Sequence, residues 1–247
     1  MSNSTAPVLI LGALSDVGRA LARHYAQAGH PVILAARNSE RLRPDATDLE
    51  LRSGVPVQVL ELDLLDTASH AAALDQIQPL PAITVCLVGV LGQQAEAQRD
   101  PAEADRIMRS NYSAPALFLE ALAARLEQRG SGVIVGVSSV AGDRGRASNY
   151  FYGSAKAGFT AYLSGLRNRL AGKGVHVITV KPGFIDTKMT AGMKLPPLLT
   201  AQPAEVAEAI AQAVSKRRNV IYVRRIWQLV MLIILHLPEA IFKKTKM

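Results

Sequence analysis

The sequence of 247 residues has little that could build a metal centre or a disulfide framework. Cys86 is its only cysteine, which excludes a disulfide scaffold and a cysteine-based zinc cluster and suits a reducing compartment. None of the five histidines stands at a ligand spacing such as His-x-x-x-His, so we expect no metal site. Aromatic residues make up 5% of the chain, and the basic residues do not spread over a folded segment, so we expect no nucleic-acid partner.

The sequence also lacks an uninterrupted apolar run of the ~20 residues that a membrane-spanning helix needs. Its first residues have no basic leader, and the short apolar run there passes directly into a glycine turn, so we expect no secretory signal peptide. The chain is 49% hydrophobic and 19% charged, which excludes a disordered protein. We therefore expect one folded cytoplasmic domain of ordinary size, with any membrane contact peripheral.

Seven short runs rich in valine, isoleucine and leucine predict the strands of a sheet. They are residues 8–11, 32–36, 57–62, 83–88, 133–137, 175–180 and 220–223. Each run is continuous rather than alternating, as in strands that are covered on both faces. Amphipathic segments at 17–29, 68–78, 101–129 and 154–172 lie between them, and residues 184–200 are predicted to form a loop or short helices. The alternation predicts a single α/β domain over residues 1–223, with a doubly wound parallel sheet of the Rossmann type.

A glycine turn follows the first predicted strand and opens a helix. Small residues at such a turn let backbone N–H groups approach a pyrophosphate at the helix N-terminus. The predicted contacts are Gly12, Ser15, Asp16, Val17 and Gly18. The spacing is not Gly-x-Gly-x-x-Gly, and Asp16 stands where another glycine is often found. Because glycines also occupy strand–helix turns for steric reasons, this segment alone fits a plain turn equally well.

The end of the second predicted strand indicates which dinucleotide would bind. An acidic residue there binds the ribose 2′-hydroxyl of NAD, whereas an arginine accommodates the 2′-phosphate of NADP. The chain has Ala36 and Arg37 at this place and no acid, which favours NADPH over NADH. The alternative is a solvated surface arginine. Asp63, after the third predicted strand, either hydrogen-bonds the adenine amino group or caps the following helix.

Candidate catalytic residues follow the fifth predicted strand. Tyr152 and Lys156 are four residues apart, so they project from one face of a helix, and Ser139 precedes the tyrosine by thirteen residues. A tyrosine with a pKa near ~10 can donate a proton to a carbonyl oxygen, and a nearby ammonium group would lower that pKa. The Ser139 hydroxyl can hold the same oxygen. Tyr150 is six residues from Lys156, off this face, so Tyr152 is the predicted proton donor.

This ordered set resembles the short-chain dehydrogenase/reductase family, from the turn at residue 12 to residue 183. The resemblance implies that Lys156 also holds the nicotinamide ribose and that Asn111 seats a water molecule that relays protons. It implies that the nicotinamide carboxamide is held by Pro182, Gly183 and Thr187. It also implies a homo-oligomer formed through the helices that contain Asn111 and Lys156.

One segment departs from the family pattern. The family usually has Asn-Asn-Ala-Gly after the fourth strand, whereas residues 87–92 of this chain carry Gly89 and Gly92 and no asparagine. These glycines can still bring the backbone close to a cofactor, so Gly89 is predicted to be a cofactor contact. The segment itself, however, offers no side-chain amide that would stabilise the turn.

The excess positive charge lies almost entirely in the C-terminal segment. Residues 216–247 hold eight Lys or Arg residues and one acid, Glu239, whereas residues 1–215 hold 20 basic and 19 acidic residues. The charges flank an apolar run that has Trp227 near one end. The basic residues beyond the run are Lys243, Lys244 and Lys246. This pattern predicts that residues 224–247 form an amphipathic tail, an interfacial anchor on an anionic membrane. The alternative is a helix that covers the core or a dimer interface.

The tail, the glycines at 89 and 92, and Asp16 also resemble one branch of the family, the decaprenylphosphoryl-2-keto-erythro-pentose reductases. This likeness implies NADPH-dependent reduction of a polyprenyl-phosphoryl 2-keto sugar at the membrane surface. A separate flavin oxidase, which makes the ketone, would be a partner, and apolar residues 189–199 would contact the prenyl chain. Two alternatives stay open. One is a reductase of another ketone, such as a 3-oxoacyl thioester or a steroid-like lipid. The other is a non-catalytic cofactor-binding partner of the oxidase, against which the intact Ser139, Tyr152 and Lys156 set argues.

Overall fold

A computed structural model describes residues 6–245 of the chain; residues 1–5 and 246–247, and with them Lys246, lie outside the described part. The strands are β1 (Val8–Leu11), β2 (Val32–Ala36), β3 (Val57–Glu61), β4 (Ile83–Cys86), β5 (Gly132–Val137), β6 (Val175–Pro182), β7 (Phe184–Ile185), β8 (Thr200–Ala201) and β9 (Val220–Val223). Seven of them form one parallel sheet in the order β3-β2-β1-β4-β5-β6-β9. The predicted doubly wound parallel sheet is therefore confirmed.

Helices connect the strands and cover the sheet. They are α1 (Asp16–Gln27), α2 (Arg43–Ser53), α3 (His70–Asp75), α4 (Gln94–Ala97), α5 (Pro101–Met108), α6 (Ala114–Arg129), α7 (Tyr150–Leu170), α8 (Pro203–Ser215), α9 (Ile226–His236) and α10 (Glu239–Phe242). The single helix predicted over residues 101–129 is in fact α5 and α6, separated by a π-helical turn at Arg109–Ser113. The helix predicted from residue 154 begins earlier, at Tyr150, so Tyr152 lies inside it.

Two apolar layers enclose the sheet. Helices α1, α2 and α8 pack on one face, and α3, α6 and α7 pack on the other. Successive residues of β1 alternate between the layers, since Val8 and Ile10 join the first and Leu9 and Leu11 join the second. Burial on both faces is the physical reason for the continuous apolar runs of the inner strands. The same expectation is wrong for β3 and β9, which are partly exposed because they lie at the two edges of the sheet.

The strand order reverses direction between β1 and β4. Beyond the carboxyl ends of these two strands the crossover helices leave on opposite faces, which opens a crevice at the edge of the sheet. The glycine turn after β1 lies at this crevice, and so does segment 87–92 after β4, which departs from the family pattern. The topology therefore brings together segments that are far apart in the sequence.

Residues 184–200, predicted as a loop or short helices, contain both helical turns and a small sheet. Strand β7 pairs in parallel with β8. Between them lie 3₁₀ turns at Lys188–Thr190 and Pro197–Leu199. This segment covers one side of the crevice.

The C-terminal segment packs against the body through α9. Trp227, Met231 and Ile234 are buried on its inner face, and the Trp227 Nε1 donates to the Leu199 carbonyl at 2.9 Å. Arg144 donates to the Ile234 carbonyl at 2.5 Å. Its exposed side chains are mostly leucines and an isoleucine, together with Gln228 and His236. Within residues 6–245, no helix has the length and hydropathy required to span a membrane.

Candidate active site

Two adjoining cavities occupy the crevice. The larger, of about 600 Å³, is lined by the four predicted catalytic residues, which follow β4 and β5 in the chain. These are Asn111, Ser139, Tyr152 and Lys156. The smaller, of about 280 Å³, is lined by Arg37 and Asp63. The two share the lining residues Leu14, Ser15, Leu87, Gly89 and Met189. Together they form one elongated cleft along the carboxyl edge of the sheet.

The glycine turn forms the floor of this cleft where the cavities meet. Gly12 has φ +85°, a conformation that favours glycine, and its carbonyl accepts a hydrogen bond from the Ser15 hydroxyl at 2.8 Å. Ser15 is the N-cap of α1 and accepts from the Gly18 N–H at 3.0 Å. A Cβ at Gly18 would lie 2.7 Å from the Gly12 carbonyl oxygen, so Gly18 allows the helix to approach the strand. Val17 lines the larger cavity, whereas Gly18 lies beneath the surface.

Asp16 connects the glycine turn to the segment between β7 and β8. Its carboxylate accepts a hydrogen bond from the Lys188 backbone N–H at 2.9 Å. Both residues line the larger cavity. The acid that replaces a glycine in this turn therefore fixes the opposite wall of the cleft.

The smaller cavity ends in a basic corner. Arg37 lines it together with Arg41, a second arginine that the sequence reasoning did not identify. The spacing of four residues after Arg37 was the available signal. The turn between them is held by Glu61, whose carboxylate accepts from the Ser39 N–H at 2.7 Å, and this hydrogen bond lowers the pKa of Glu61. Two guanidinium groups at this corner suit a phosphate.

Asp63 lines the same cavity but does not cap a helix. Its carboxylate accepts from the Leu65 N–H at 3.0 Å, two residues further on, and the next helical turn begins only at Thr67. The capping alternative is therefore wrong for this residue. The Asp63 carboxylate, at the rim of the cavity, remains available to accept a hydrogen bond from an adenine amino group.

The larger cavity brings Ser139, Tyr152 and Lys156 together. Ser139 is buried and its Oγ accepts from the Ala141 N–H at 3.1 Å, which fixes the hydroxyl at the end of β5. Lys156 is 4% exposed, its Nζ donates to the Val137 carbonyl at 3.1 Å and lies 5.8 Å from the centre of the Tyr152 ring. Tyr150, by contrast, is exposed, and its hydroxyl accepts from Gln98. The geometry thus places Tyr152, and not Tyr150, beside the lysine.

Burial dominates the electrostatics of this group. It raises the pKa of Tyr152, and a hydrogen bond with Ser139 lowers that pKa only in part. Burial also lowers the pKa of Lys156 to about 8. The net shift of the Tyr152 pKa is therefore opposite to the expected lowering, because desolvation of the phenolate dominates. A phenol that keeps its proton at neutral pH suits proton donation.

The neighbouring Ser138 has a different role. Its hydroxyl donates to the Lys156 carbonyl at 2.9 Å and lies 2.6 Å from the Thr160 hydroxyl. These contacts tie α7 to the end of β5. Ser138 thus positions the helix that carries Tyr152 and Lys156.

Asn111 lies in the π-helical turn and is fully buried. Its Nδ2 donates to the Val90 carbonyl at 2.7 Å and to the Ile107 carbonyl at 2.8 Å, and its Oδ1 accepts from the Val90 N–H at 3.3 Å. The segment 87–92 therefore has a stabilising side-chain amide after all, supplied from another helix. A Cβ at Gly89 would collide with Asn111 Oδ1 and lie 3.1 Å from Lys156 Nζ, so only glycine fits there. Insertion of a π turn at such a place is common at functional sites.

The last predicted contacts lie beside α9. Pro182, Gly183 and Thr187 all line the larger cavity. Trp227 lines it too, which the sequence reasoning missed because it assigned this residue to a separate tail. A Cβ at Gly183 would overlap the Trp227 ring, so glycine is needed for the indole to pack there. The C-terminal helix is thus part of the wall of the site.

The cleft as a whole fits a nicotinamide dinucleotide. Its floor is a strand–glycine turn–helix N-terminus, one end has two arginines, and the other end has a buried lysine beside a tyrosine. Gly12, Ser15 and Gly89 give backbone access at the middle, where a pyrophosphate would lie. The residues that would hold the adenosine part are Arg37, Arg41 and Asp63, and those that would hold the nicotinamide part are Lys156, Pro182, Gly183 and Thr187.

This fold and this site define an NAD(P)-dependent oxidoreductase, and the chain belongs to the short-chain dehydrogenase/reductase family. The family model for short chain dehydrogenases matches residues 6–196. An uncharacterized oxidoreductase of Mycobacterium tuberculosis is 40% identical over 222 residues, covering 88% of each chain.

Two further relatives are similar over most of this chain. A 3-oxoacyl-[acyl-carrier-protein] reductase of Aquifex aeolicus is 29% identical over 186 residues, which are 74% of this chain and 75% of the relative. The solved structure of a short-chain dehydrogenase from Sphingobium yanoikuyae in complex with NADPH superposes with a TM-score of 0.81 at 27% identity. That superposition covers 95% of this chain and 97% of the other. The chain is therefore an oxidoreductase of the short-chain type.

Proposed function

We propose that this protein uses NADPH to reduce a ketone to a secondary alcohol. The observation that supports it most is the shared cavity of Ser139, Tyr152 and Lys156 at the glycine turn of α1. A bound reduced nicotinamide would supply the hydride to the carbonyl carbon. Ser139 donates a hydrogen bond to the carbonyl oxygen, and Tyr152 transfers its phenolic proton to that oxygen, which completes the alcohol.

Lys156 and Asn111 act on the tyrosine in this proposal. With its pKa lowered to about 8, Lys156 is mostly protonated at neutral pH, so its charge stabilises the phenolate left after proton transfer. The same ammonium group is proposed to hold a ribose hydroxyl. Asn111 holds the Val90 backbone and is proposed to seat the water that returns a proton to Tyr152.

A pair of neighbouring tyrosines tests this assignment. Tyr152→Phe should lower the rate of ketone-dependent NADPH oxidation by about 10²–10⁴-fold, because the proton donor is lost. Tyr150→Phe is the matched control, since this side chain is exposed and bonded to Gln98. Equal rates in the two variants, with NADPH bound by both, would remove Tyr152 from the chemistry. Undiminished cellular function of Tyr152→Phe would favour the non-catalytic docking role.

The substrate that we propose is a polyprenyl-phosphate-linked 2-keto sugar at the cytoplasmic membrane surface, formed by a flavin oxidase partner. Apolar side chains surround the cleft on the side of α9. Met189, Met193 and Leu198 are exposed in the segment between β7 and β8, which contacts α9 through Leu199 and Trp227. An apolar rim of this kind is suited to a prenyl chain.

The outer face of α9 supports peripheral membrane attachment. Leu229, Leu232 and Ile233 are 59%, 54% and 57% exposed and, at i, i+3 and i+4, share one face of the helix. Basic residues lie at both ends of this segment, as in interfacial helices on anionic lipid.

Flotation with anionic liposomes tests this attachment. The triple variant Leu229→Gln, Leu232→Gln and Ile233→Gln should float much less than wild type, and it leaves the buried Trp227 in place. Leu51→Gln is the matched control, because Leu51 is 82% exposed on α2. Equal flotation of the triple variant and the control would contradict the anchor.

A second candidate substrate is a 3-oxoacyl thioester, which the similarity to the Aquifex aeolicus reductase favours. We also propose a homo-oligomer formed through α7 and the helical segment that contains Asn111. Tyr112 of the π-helical turn and Leu117 of α6 are exposed on this segment. Comparison of NADPH oxidation with a 3-oxoacyl thioester and with a keto sugar separates the two substrates.

A further inference from the structure

Several residues that line the larger cavity have a buried polar atom that bonds to nothing in the protein. In residues 6–245, six buried side-chain nitrogen or oxygen atoms lack a hydrogen-bond partner, and three of them belong to residues that line this cavity. These three are Gln94 Nε2, Arg146 Nε and Asn149 Oδ1. A buried polar atom without a partner costs free energy, so three around one cavity indicate a ligand that supplies the partners.

Arg146 lacks an ion-pair partner among the described residues. Its Nη2 contacts the Met231 sulfur at 3.4 Å, and burial lowers the pKa of the guanidinium, although the charge of Asp143 acts in the opposite direction. The nearby acid, Asp143, is already bonded to Lys181 Nζ at 2.5 Å and to the Tyr222 hydroxyl at 2.8 Å. Among the residues that the structure describes, no carboxylate forms an ion pair with Arg146. A guanidinium keeps its charge in proteins, so this position attracts an anion from outside the chain.

Gln94 and Asn149 add one donor and one acceptor. The Gln94 Oε1 accepts from the Phe151 N–H at 3.2 Å, which fixes the amide and leaves its Nε2 free to donate. Asn149 precedes α7, where asparagine is a preferred N-cap, yet its side chain makes no capping hydrogen bond. Its Oδ1 is thus available to accept from a hydroxyl group.

We propose that Arg146, with Gln94 and Asn149, forms a subsite for a phosphate ester and hydroxyl groups of the ketone substrate. This inference rests on the proposed function and narrows its substrate class to a phosphorylated keto sugar. The planar guanidinium of Arg146 can bind a phosphate through two parallel hydrogen bonds, and the side-chain amides of Gln94 and Asn149 can hydrogen-bond the neighbouring hydroxyl groups. A 3-oxoacyl chain would leave these polar groups unpaired, which a site discriminates against strongly.

The test compares three ketones that differ in charge and in attachment to lipid. Dihydroxyacetone is neutral, dihydroxyacetone phosphate carries the ester beside the carbonyl, and palmitoyl-dihydroxyacetone phosphate presents the same group from a neutral vesicle. Binding is measured on full-length protein saturated with NADP⁺, so that the arginines of the smaller cavity are already occupied. Trp227, the single tryptophan of the chain, lines the cavity and reports binding by fluorescence.

Wild type should bind dihydroxyacetone phosphate at least ~10-fold more tightly than dihydroxyacetone, as charge-assisted hydrogen bonds imply. Arg146→Gln should abolish that preference, and Arg146→Lys should restore part of it. Arg52→Gln, an exposed arginine outside both cavities, is the matched control. Unchanged NADP⁺ affinity in each variant verifies the fold. Tighter binding of the vesicle-borne ester than of the free one would support the subsite with a lipid headgroup as the source, and the reverse would support it with a soluble sugar phosphate.

Equal affinity of wild type for the charged and neutral ketones, or a preference retained in Arg146→Gln, would overturn the subsite. Neither result depends on turnover. A wild-type protein that shows no phosphate preference, with intact, Tyr152-dependent ketone reduction, would therefore refute the subsite alone. A phosphate preference at Arg146 without any ketone reduction would refute the proposed function alone.

Discussion

Substitution of Gly183 by alanine tests whether the C-terminal helix is a wall of the site. The added Cβ would overlap ring atoms of Trp227. The backbone at this position is held between β6 and β7, so the indole has to move. Displacement breaks the Trp227 Nε1 hydrogen bond to the Leu199 carbonyl and the edge contact with Phe184, whose ring centre lies 5.5 Å away.

The loss of unfolding free energy in Gly183→Ala follows from general packing energetics. Overpacking of a core typically destabilises by ~1–3 kcal/mol, and complete loss of a packed tryptophan costs about 3–5 kcal/mol. Trp227 is 4% exposed, and only α9 loses its support, so we expect a loss of about 2–4 kcal/mol. For a chain of this size that corresponds to a fall in Tm of roughly 5–10 °C.

Tryptophan fluorescence and denaturant unfolding measure both effects. In Gly183→Ala the emission of the single tryptophan should move to longer wavelength, because the ring becomes exposed to water. The control is Gly165→Ala in α7, where a Cβ meets no atom within 4 Å and should be neutral or slightly stabilising. The reasoning is refuted if Gly183→Ala keeps the wild-type emission and unfolds at the same denaturant concentration as the control.

Three further predictions follow from individual residues. Burial lowers the pKa of Lys156 to about 8 from its ordinary 10.5, so the unfolded chain holds this proton to higher pH than the folded protein does. Relative to Lys156→Met, the unfolding free energy of wild type should therefore rise by ~2 kcal/mol between pH 7.5 and 9.5. A difference between the two proteins that stays constant with pH in urea unfolding would contradict this. Asn111→Ala leaves the backbone N–H and carbonyl of Val90 without their partner, so it should destabilise the protein by about 2–4 kcal/mol and lower the affinity for NADPH. Thermal unfolding and NADPH titration measure the two effects, and wild-type values in both would show that Asn111 does not stabilise segment 87–92. Arg37→Ala should weaken NADPH binding about 10-fold or more and NADH binding little, and equal weakening in calorimetric titrations would exclude a 2′-phosphate contact.

The sheet and the centre of the site could be predicted because their signals are local. The strand runs are continuous and apolar, and the four-residue spacing of Tyr152 and Lys156 places both on one helical face whatever the rest of the fold does. Helix α2 was not predicted, since it is largely polar and buries only Ala46 and Leu49.

Other features depend on contacts between distant segments. The π turn at Asn111 arises where that side chain reaches across to Val90, and no periodicity in residues 101–129 indicates it. Trp227 and Arg146 become cavity residues only when α9 packs beside the loop after β5. The pKa shifts of Tyr152 and Lys156 likewise depend on burial, which a spacing pattern does not reveal.

The most direct test of the whole account is NADPH consumption in anionic liposomes that contain a polyprenyl-phosphoryl 2-keto-pentose, with wild type beside Tyr152→Phe. The account predicts turnover by wild type and a loss of about 10²–10⁴-fold in the variant, with NADPH still bound by both. No turnover by a wild-type protein that binds NADPH would contradict the keto-sugar assignment and direct the search to acyl and steroid-like ketones.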